Sequence, residues 1–289
     1  MKKISTIGIF CKKKDDRIPA TLKMLHSFLL QKDYKVVALK TAAKHLNIEP
    51  LKKKEFCDVI DIAIVVGGDG TLLKAGRLLA NKDVPVIGIN LGRLGFLVDV
   101  SPNLIEEQLT PMLAGESIIE TRSLLFAEAF RGDQSLGSSM AFNDVVLHAR
   151  DDVRMIEFDT HIDDVYVNTQ RADGIVVATP TGSTAYALSS GGPILHPSLD
   201  AVVLVPICPH TLSNRPIVVN NSSRITISMC ESRAVGARVS FDGQANIQLK
   251  SGDRVEIWQE ESTLQLVHPK DYDYFRILRN KLGWSVQPH

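Results

Sequence analysis

Neither sign of charge predominates in this 289-residue chain, where 33 basic side chains balance 33 acidic ones. No net field therefore draws it to nucleic acid or to a membrane surface. No apolar run approaches the length that spans a bilayer. Cysteine is sparse: Cys11, Cys57, Cys208 and Cys230 are scattered and lack paired metal-ligand spacing. A chain of this size needs no disulfide staples, so free thiols in a reducing compartment are expected, and with them a cytoplasmic protein. The basic tip is followed by a short apolar stretch broken by polar residues, which reads as a first strand and not as a signal peptide. Repeats and low-complexity tracts are missing. Two familiar phosphate motifs are missing as well. No G-x-x-x-x-G-K-[ST] occurs, which excludes a P-loop. Gly88, Gly92 and Gly95 have the wrong spacing for the G-x-G-x-x-G dinucleotide fingerprint.

What the chain does have is a 44% share of hydrophobic residues, enough for a substantial core. Its most informative segment is Ile62 to Leu73, IAIVVGGDGTLL. A buried strand over Ile62–Val66 would deliver Gly67, Gly68, Asp69 and Gly70 at its carboxyl end, with Thr71 capping a helix through Leu79. Ligands bind at the carboxyl ends of strands in open α/β sheets, and a helix start offers free N–H groups to phosphate. Glycines let the backbone approach an anion closely. Asp69 stands out, because a carboxylate beside phosphates repels them. It makes sense as an acceptor of a hydroxyl proton, or as a holder of a bridging metal ion. The residues alone equally allow a plain strand-turn-helix corner in which Asp69 helps cap the helix.

The first hundred residues alternate strands (Ile4–Phe10, Lys35–Leu39, Ile62–Val66, Val84–Ile89) with helical stretches, including one around Leu22, Leu25, Phe28 and Leu29 and another over Leu104–Leu113. That is the βαβ pattern of a mostly parallel sheet. From about Ile118 to Val267, period-2 stretches such as Ile225-Ile227-Met229 indicate half-buried antiparallel strands. Turn signals punctuate them at Ala172–Gly174, Ser190–Pro193 and Ser251–Asp253. Tyr272 to Trp284 returns to helical spacing and is expected to dock on the parallel-sheet domain. The two lysine triplets, Lys12–Lys14 and Lys52–Lys54, read as solvated loop or helix faces, with an anion-steering patch as the alternative. The expected organisation is a Rossmann-like α/β domain over 1–100 plus 270–289 and a β-rich antiparallel domain over 101–269, with the site in the cleft between them.

A second cluster, QRADGIVVATPTGSTAYALSSGGP at 170–193, runs from a strand over Ile175–Ala178 into a bend forced by Pro180 and Gly182. Hydroxyls at Thr181, Ser183 and Thr184 become available as ligands there, and Tyr186 offers a flat ring for a nucleobase. A Ser/Thr-rich turn entering a helix is the structural alternative. G-x-S-x-G is absent around Ser183, which argues against a hydrolase nucleophile.

Together the clusters resemble the NAD kinase family, whose members phosphorylate the 2′-hydroxyl of the adenosine ribose of NAD with ATP, giving NADP and ADP. The resemblance covers nearly the whole chain in order. It runs through GGDGT (67–71), NLGRLGFL (90–97), FNDVVLH (142–148), RADG (171–174), TPTGSTAYALSSGGP (179–193), PHTLSNRPIVV (209–219) and FDGQ (241–244). GGDGT is shared with diacylglycerol-type lipid kinases, and phosphofructokinases carry a related form; TPTGSTAY with PHTLSNRP is more specific. The implied fold is that of the diacylglycerol kinase/phosphofructokinase-like superfamily.

The resemblance also implies roles. Asp69 becomes the proton acceptor facing the ribose hydroxyl, and Gly67, Gly68, Gly70 and Thr71 meet the triphosphate. Asp69 and Gly70 also meet NAD. Phe96, Thr184, Ala185 and Tyr186 surround adenine, and Asn143 and Asp144 hold ribose hydroxyls. Arg154, Arg171, Asp173 and Gln244 contact the rest of NAD, with Ala187, Leu188 and Ser189 lining the same pocket. Arg171 either tunes the choice between oxidised and reduced cofactor or binds a phosphate. The family usually has Asn-Glu where this chain has Asn143-Asp144. The shorter acid then acts through a water or a small backbone shift. A divalent cation, Mg²⁺, is expected to arrive with ATP, since no carboxylate cage is visible. NAD and ATP are the expected partners, without nucleic acid or membrane, and the family forms dimers and tetramers.

Overall fold

A computed structural model of the chain describes residues 4–92, 94–150, 155–231 and 236–284. It divides into two compact units, 1–121 with 264–289 and 122–263.

The first unit is α/β. Its strands β1 (Thr6–Cys11), β2 (Lys35–Leu39), β3 (Pro50–Leu51), β4 (Ile62–Val66) and β5 (Val86–Ile89) run parallel in the order β5-β4-β1-β2-β3. The helices are α1 (Ile18–Gln31), α2 (Lys40–Leu46), α3 (Lys53–Val59), α4 (Asp69–Leu79) and α5 (Ile105–Leu113). All five residues of β4 are buried, as a central parallel strand covered on both faces requires. Alternate residues Ile7, Ile9, Ile62, Ile64, Ile87 and Ile89 share one core with the Leu22, Leu25 and Leu29 stripe of α1 and with α5.

The glycine corner departs from the sequence expectation in one respect. Helix α4 opens at Asp69, two residues before Thr71, with extended Gly68 at its N-cap. The amides of Thr71 and Leu72 both donate to the Gly68 carbonyl, at 2.8 and 3.2 Å. Thr71 therefore lies inside the first turn and is not the cap, because Gly68 already supplies the turn's first acceptor.

The second unit is antiparallel. Its strands are β6 (Ile118–Arg131), β7 (Gln134–Ala141), β8 (Asp144–Ala149), β9 (Ile156–Ile162), β10 (Val165–Ala172), β11 (Gly174–Ala178), β12 (Ala201–Ile207), β13 (Ile217–Asn220), β14 (Ile225–Met229), β15 (Ala237–Phe241), β16 (Ala245–Leu249) and β17 (Asp253–His268), with a short helix α6 (Tyr186–Ser189). One sheet has the order β13-β12-β11-β8-β15-β16; facing it are β10, β9, β14 and β17 with the β6–β7 hairpin. Inward residues of both, among them Leu147, Val177, Phe158, Ile227 and Val255, make one shared core.

At Asp173 the expected reversal is a change of sheet. Strand β10 ends at Ala172 and β11 begins at Gly174 in the other layer. Asp173 serves both sides with its backbone, donating to Ile207 O and accepting from Ala149 N. The chain returns through β17 to α7 (Tyr274–Leu282), whose N-cap Asp273 accepts from the amides of Phe275 and Arg276. No helix among the described residues is long and apolar enough to cross a membrane.

Candidate active site

The carboxyl end of β4 is where the first unit concentrates chemistry. Gly67 N donates to Ile89 O, locking the corner onto β5. Asp69, half-buried in the first turn of α4, accepts from Phe96 N at its Oδ2 and from Leu97 N at its Oδ1, both at 3.0 Å. Those amides belong to a loop pinned at its base: Asn90 N and Asn90 Nδ2 both donate to Val100 O, and Gly95 N donates to Val98 O. Gly95 is required by contact, since a Cβ there would stand 2.2 Å from Asp69 Oδ1. Two amides fix the carboxylate's orientation and leave further lone pairs able to accept a proton. The structure thus joins GGDGT to NLGRLGFL through one side chain.

Beside this corner lies a cavity of 750 Å³. Its floor is apolar, from Ile9, Phe10 and Leu39, while Lys12, Lys13, Lys14, Lys53 and Lys74 bring cations, and Thr71 contributes as well. Members of both lysine triplets, separated by forty residues of sequence, thereby line one space. Burial pushes the Cys11 thiol, which also lines it, up to about 11.

The second unit gathers a different group. A cavity of 430 Å³ is lined by Asn143, Asp144, His148, Ala185, Tyr186 and Asp242, among others. Asp242 organises it: its carboxylate accepts from Phe142 N at 3.1 Å, Asn143 N at 2.7 Å and Asp144 N at 3.3 Å. Gly182 lies so close to this strand start that a Cβ would stand 2.0 Å from Asn143 O. Asp144 is 5% exposed. Desolvation, followed by the Asp242 charge, pushes its carboxyl up to about 7. His148 accepts from Arg238 Nε at 2.8 Å, and burial, then the Arg238 charge, lowers its pKa.

The hydroxyls that the sequence offers as ligands are spent internally. Ser183, fully buried, donates to Pro180 O and accepts from Leu195 N; Thr184 donates to Thr181 O; Arg122 donates to Thr181. They hold the bend in shape and present Ala185 and Tyr186, the latter 47% exposed. Ala187 packs into a core with Val146 and Val176, Leu188 is half-buried and Ser189 exposed. Arg171, Asp173 and Gln244 are exposed and do not line the cavity. Arg154 lies outside the described residues. Asp242 is not among the sequence-predicted site residues, although it lies within FDGQ (241–244). The signal was there in Asp242-Gly243, a turn whose residues adopt φ of 47° and 63°.

Among the described residues no group of three or more His, Cys, Asp or Glu side chains is placed to hold a metal ion.

The chain is similar to known proteins over nearly its whole length. Residues 7–117 match the family model of the ATP-NAD kinase N-terminal domain, and residues 142–269 that of the ATP-NAD kinase C-terminal domain. An NAD kinase of Hahella chejuensis is 45% identical over 99% of this chain and 97% of its own length. One from a Marinomonas species is 46% identical over 96% of each. Among solved structures, yeast NADH kinase complexed with NADH superposes with a TM-score of 0.91 at 25% identity, covering 100% of this chain and 90% of the other. An Archaeoglobus fulgidus NAD kinase in complex with ATP gives 0.74 at 26% identity, covering 96% and 97%.

Proposed function

This chain belongs to the ATP-NAD kinase family and phosphorylates NAD with ATP, and we propose that Asp69 is the base that takes the proton from the adenosine 2′-hydroxyl as it attacks the γ-phosphorus. The observation that carries this reading is the Asp69 carboxylate, oriented by two amides at the start of a helix whose glycines leave the backbone open to phosphate.

Phosphoryl transfer asks for positioning and charge neutralisation more than for covalent chemistry. In this reading the amides of Gly67, Gly68, Gly70 and Thr71 meet the donor's phosphates. The lysine-lined cavity beside Thr71 neutralises the triphosphate, and its apolar floor suits a base. The cavity around Asp144 and Asp242 takes the adenosine of NAD, with Tyr186 against adenine and Asn143 and Asp144 toward the ribose. The same reading gives Thr184, Ala187, Leu188 and Ser189 to the adenosine side and Arg171, Asp173 and Gln244, which stand outside that cavity, to the rest of NAD, with Arg154 outside the described residues; Phe96, in the first unit, is likewise read as an NAD contact. Solved relatives bound to NADH and to ATP support both ligands. A divalent cation, Mg²⁺, is read as arriving with the triphosphate. General-base help from Asp69 contributes about 10²–10⁴-fold, roughly 3–5 kcal/mol of barrier.

The chain is also read as a cytoplasmic homo-oligomer. Four free thiols support the compartment. The edge strand β10, which leaves Val165 67% and Tyr166 56% exposed, supports association through the β-rich unit. Incubation with NAD, ATP and Mg²⁺ followed by an assay for NADP tests the function. NADP accumulation is expected. Its absence alongside tight NADP binding would instead make the chain a dinucleotide sensor.

A further inference from the structure

His268, the last residue of β17, is 1% exposed and yet surrounded by acid. Its Nδ1 lies 2.9 Å from Asp99 Oδ2, and its Nε2 faces Glu120 Oε2 at 3.5 Å, an ion-pair distance. Tyr272 stacks on the imidazole at 3.9 Å and donates its hydroxyl to the same Glu120 oxygen at 3.2 Å. Burial alone would lower the imidazole pKa, but the Asp99 hydrogen bond and the nearby Asp99 and Glu120 carboxylates outweigh it and hold it above the usual histidine value. Asp99 Oδ1 is buried with no hydrogen-bond partner among the described residues, so the imidazole is its main compensation.

Asp99 is not an arbitrary anchor. It sits between Val98, whose carbonyl receives Gly95 N, and Val100, which bonds Gly88 and Asn90 at the base of the loop. Two residues before it is Leu97, whose amide, with that of Phe96, holds Asp69. The bonds thus run without interruption from imidazole to loop to carboxylate.

We propose that His268 is a positioning residue for phosphoryl transfer: by fixing Asp99 it sets the loop whose amides aim the Asp69 carboxylate. The inference rests on the reading of Asp69 as base. Its mechanism is geometric, since sub-ångström misplacement of a base costs rate without costing substrate binding. The titratable groups facing the imidazole are Asp99 from the loop, Glu120 from β6 and Tyr272 from the turn before α7; Lys270 is engaged with Glu116 at the surface.

The test compares kcat and KM for His268→Leu and His268→Asn, each alone and combined with Asp69→Asn. His268→Leu is expected to lower kcat about tenfold while both KM values stay within about twofold. Asn, whose amide donor replaces Nδ1, recovers most of the loss. Behind Asp69→Asn, neither His268 substitution costs more than about twofold, because the group it aims is gone. Equal losses in both backgrounds, or no rescue by Asn, overturn the proposal. Should His268→Leu not fold, the unsubstituted protein still decides. Its Phe96 and Leu97 amide resonances are expected to shift with the midpoint of the His268 imidazole, and resonances indifferent to that midpoint refute the linkage. Near-normal turnover of Asp69→Asn alone would remove the base reading instead, and the amide titration would then judge the linkage by itself.

Discussion

Gly95 and Asp69 meet so closely that no methyl group fits between them: a Cβ on Gly95 would stand 2.2 Å from Asp69 Oδ1. Alanine at position 95 must therefore push the carboxylate off its two amides or open the loop. Gly95→Ala is predicted to lower kcat by about tenfold or more, with little change in NAD affinity. Steady-state kinetics beside an NAD titration checks this, and unchanged kcat would show that Asp69 does not depend on that loop.

Asp242 accepts three consecutive amides, those of Phe142, Asn143 and Asp144. Asp242→Ala leaves these donors without their acceptor, at a cost of roughly 1–3 kcal/mol. It also loosens the wall of the 430 Å³ cavity. A lower denaturation midpoint together with a raised KM for NAD, and an unaltered KM for ATP, is the expected pattern. A rise in KM for ATP alone would assign that cavity to the donor.

Asp144 gives a pH signature. Its carboxyl is raised to about 7 by burial, with the Asp242 charge adding to the effect. Between the ordinary aspartate value and about 7, the folded chain thus holds a proton that the unfolded chain has released. Stability from this group is full at low pH and is lost as pH rises through that window, by up to about 4 kcal/mol. Asp144→Asn, which cannot ionise, is expected to flatten this part of the stability–pH curve measured by urea unfolding. An unchanged slope would place Asp144 in a wetter site.

The cavity beside Thr71 makes an electrostatic prediction. Replacing Lys13, Lys14 and Lys74 together by Gln should raise KM for ATP severalfold, and more at low ionic strength than at high, with KM for NAD little altered. Salt-independent kinetics of the triple variant would mean that the donor phosphates are met elsewhere.

Much of the fold was legible because it rests on local periodicity. The uninterrupted apolar run Ile62–Val66 marks a strand covered on both faces, and the Leu22-Leu25-Leu29 spacing marks the buried stripe of α1. The short helices α2 and α3 are not legible in the sequence, since seven residues carry barely two turns of pattern. The start of α4 was misplaced because Thr71 is a good cap by type, while extended Gly68 does the capping by backbone conformation. Non-local contacts were illegible. Nothing in the sequence brings Lys12–Lys14 to Lys53, sets Asp242 under three amides, or reveals that Ser183 and Thr184 spend their hydroxyls on their own turn. Those relations are made by strand register and chain crossing.

The central claim is that Asp69 removes the proton from the sugar hydroxyl, and turnover of Asp69→Asn at saturating NAD and ATP tests it most directly. NADP formation is predicted to fall by at least about 10²-fold while the dissociation constant for NAD changes only a few-fold. Turnover near that of the unsubstituted chain would contradict the account and leave Asp69 as the residue that merely ties α4 to the Phe96–Leu97 loop.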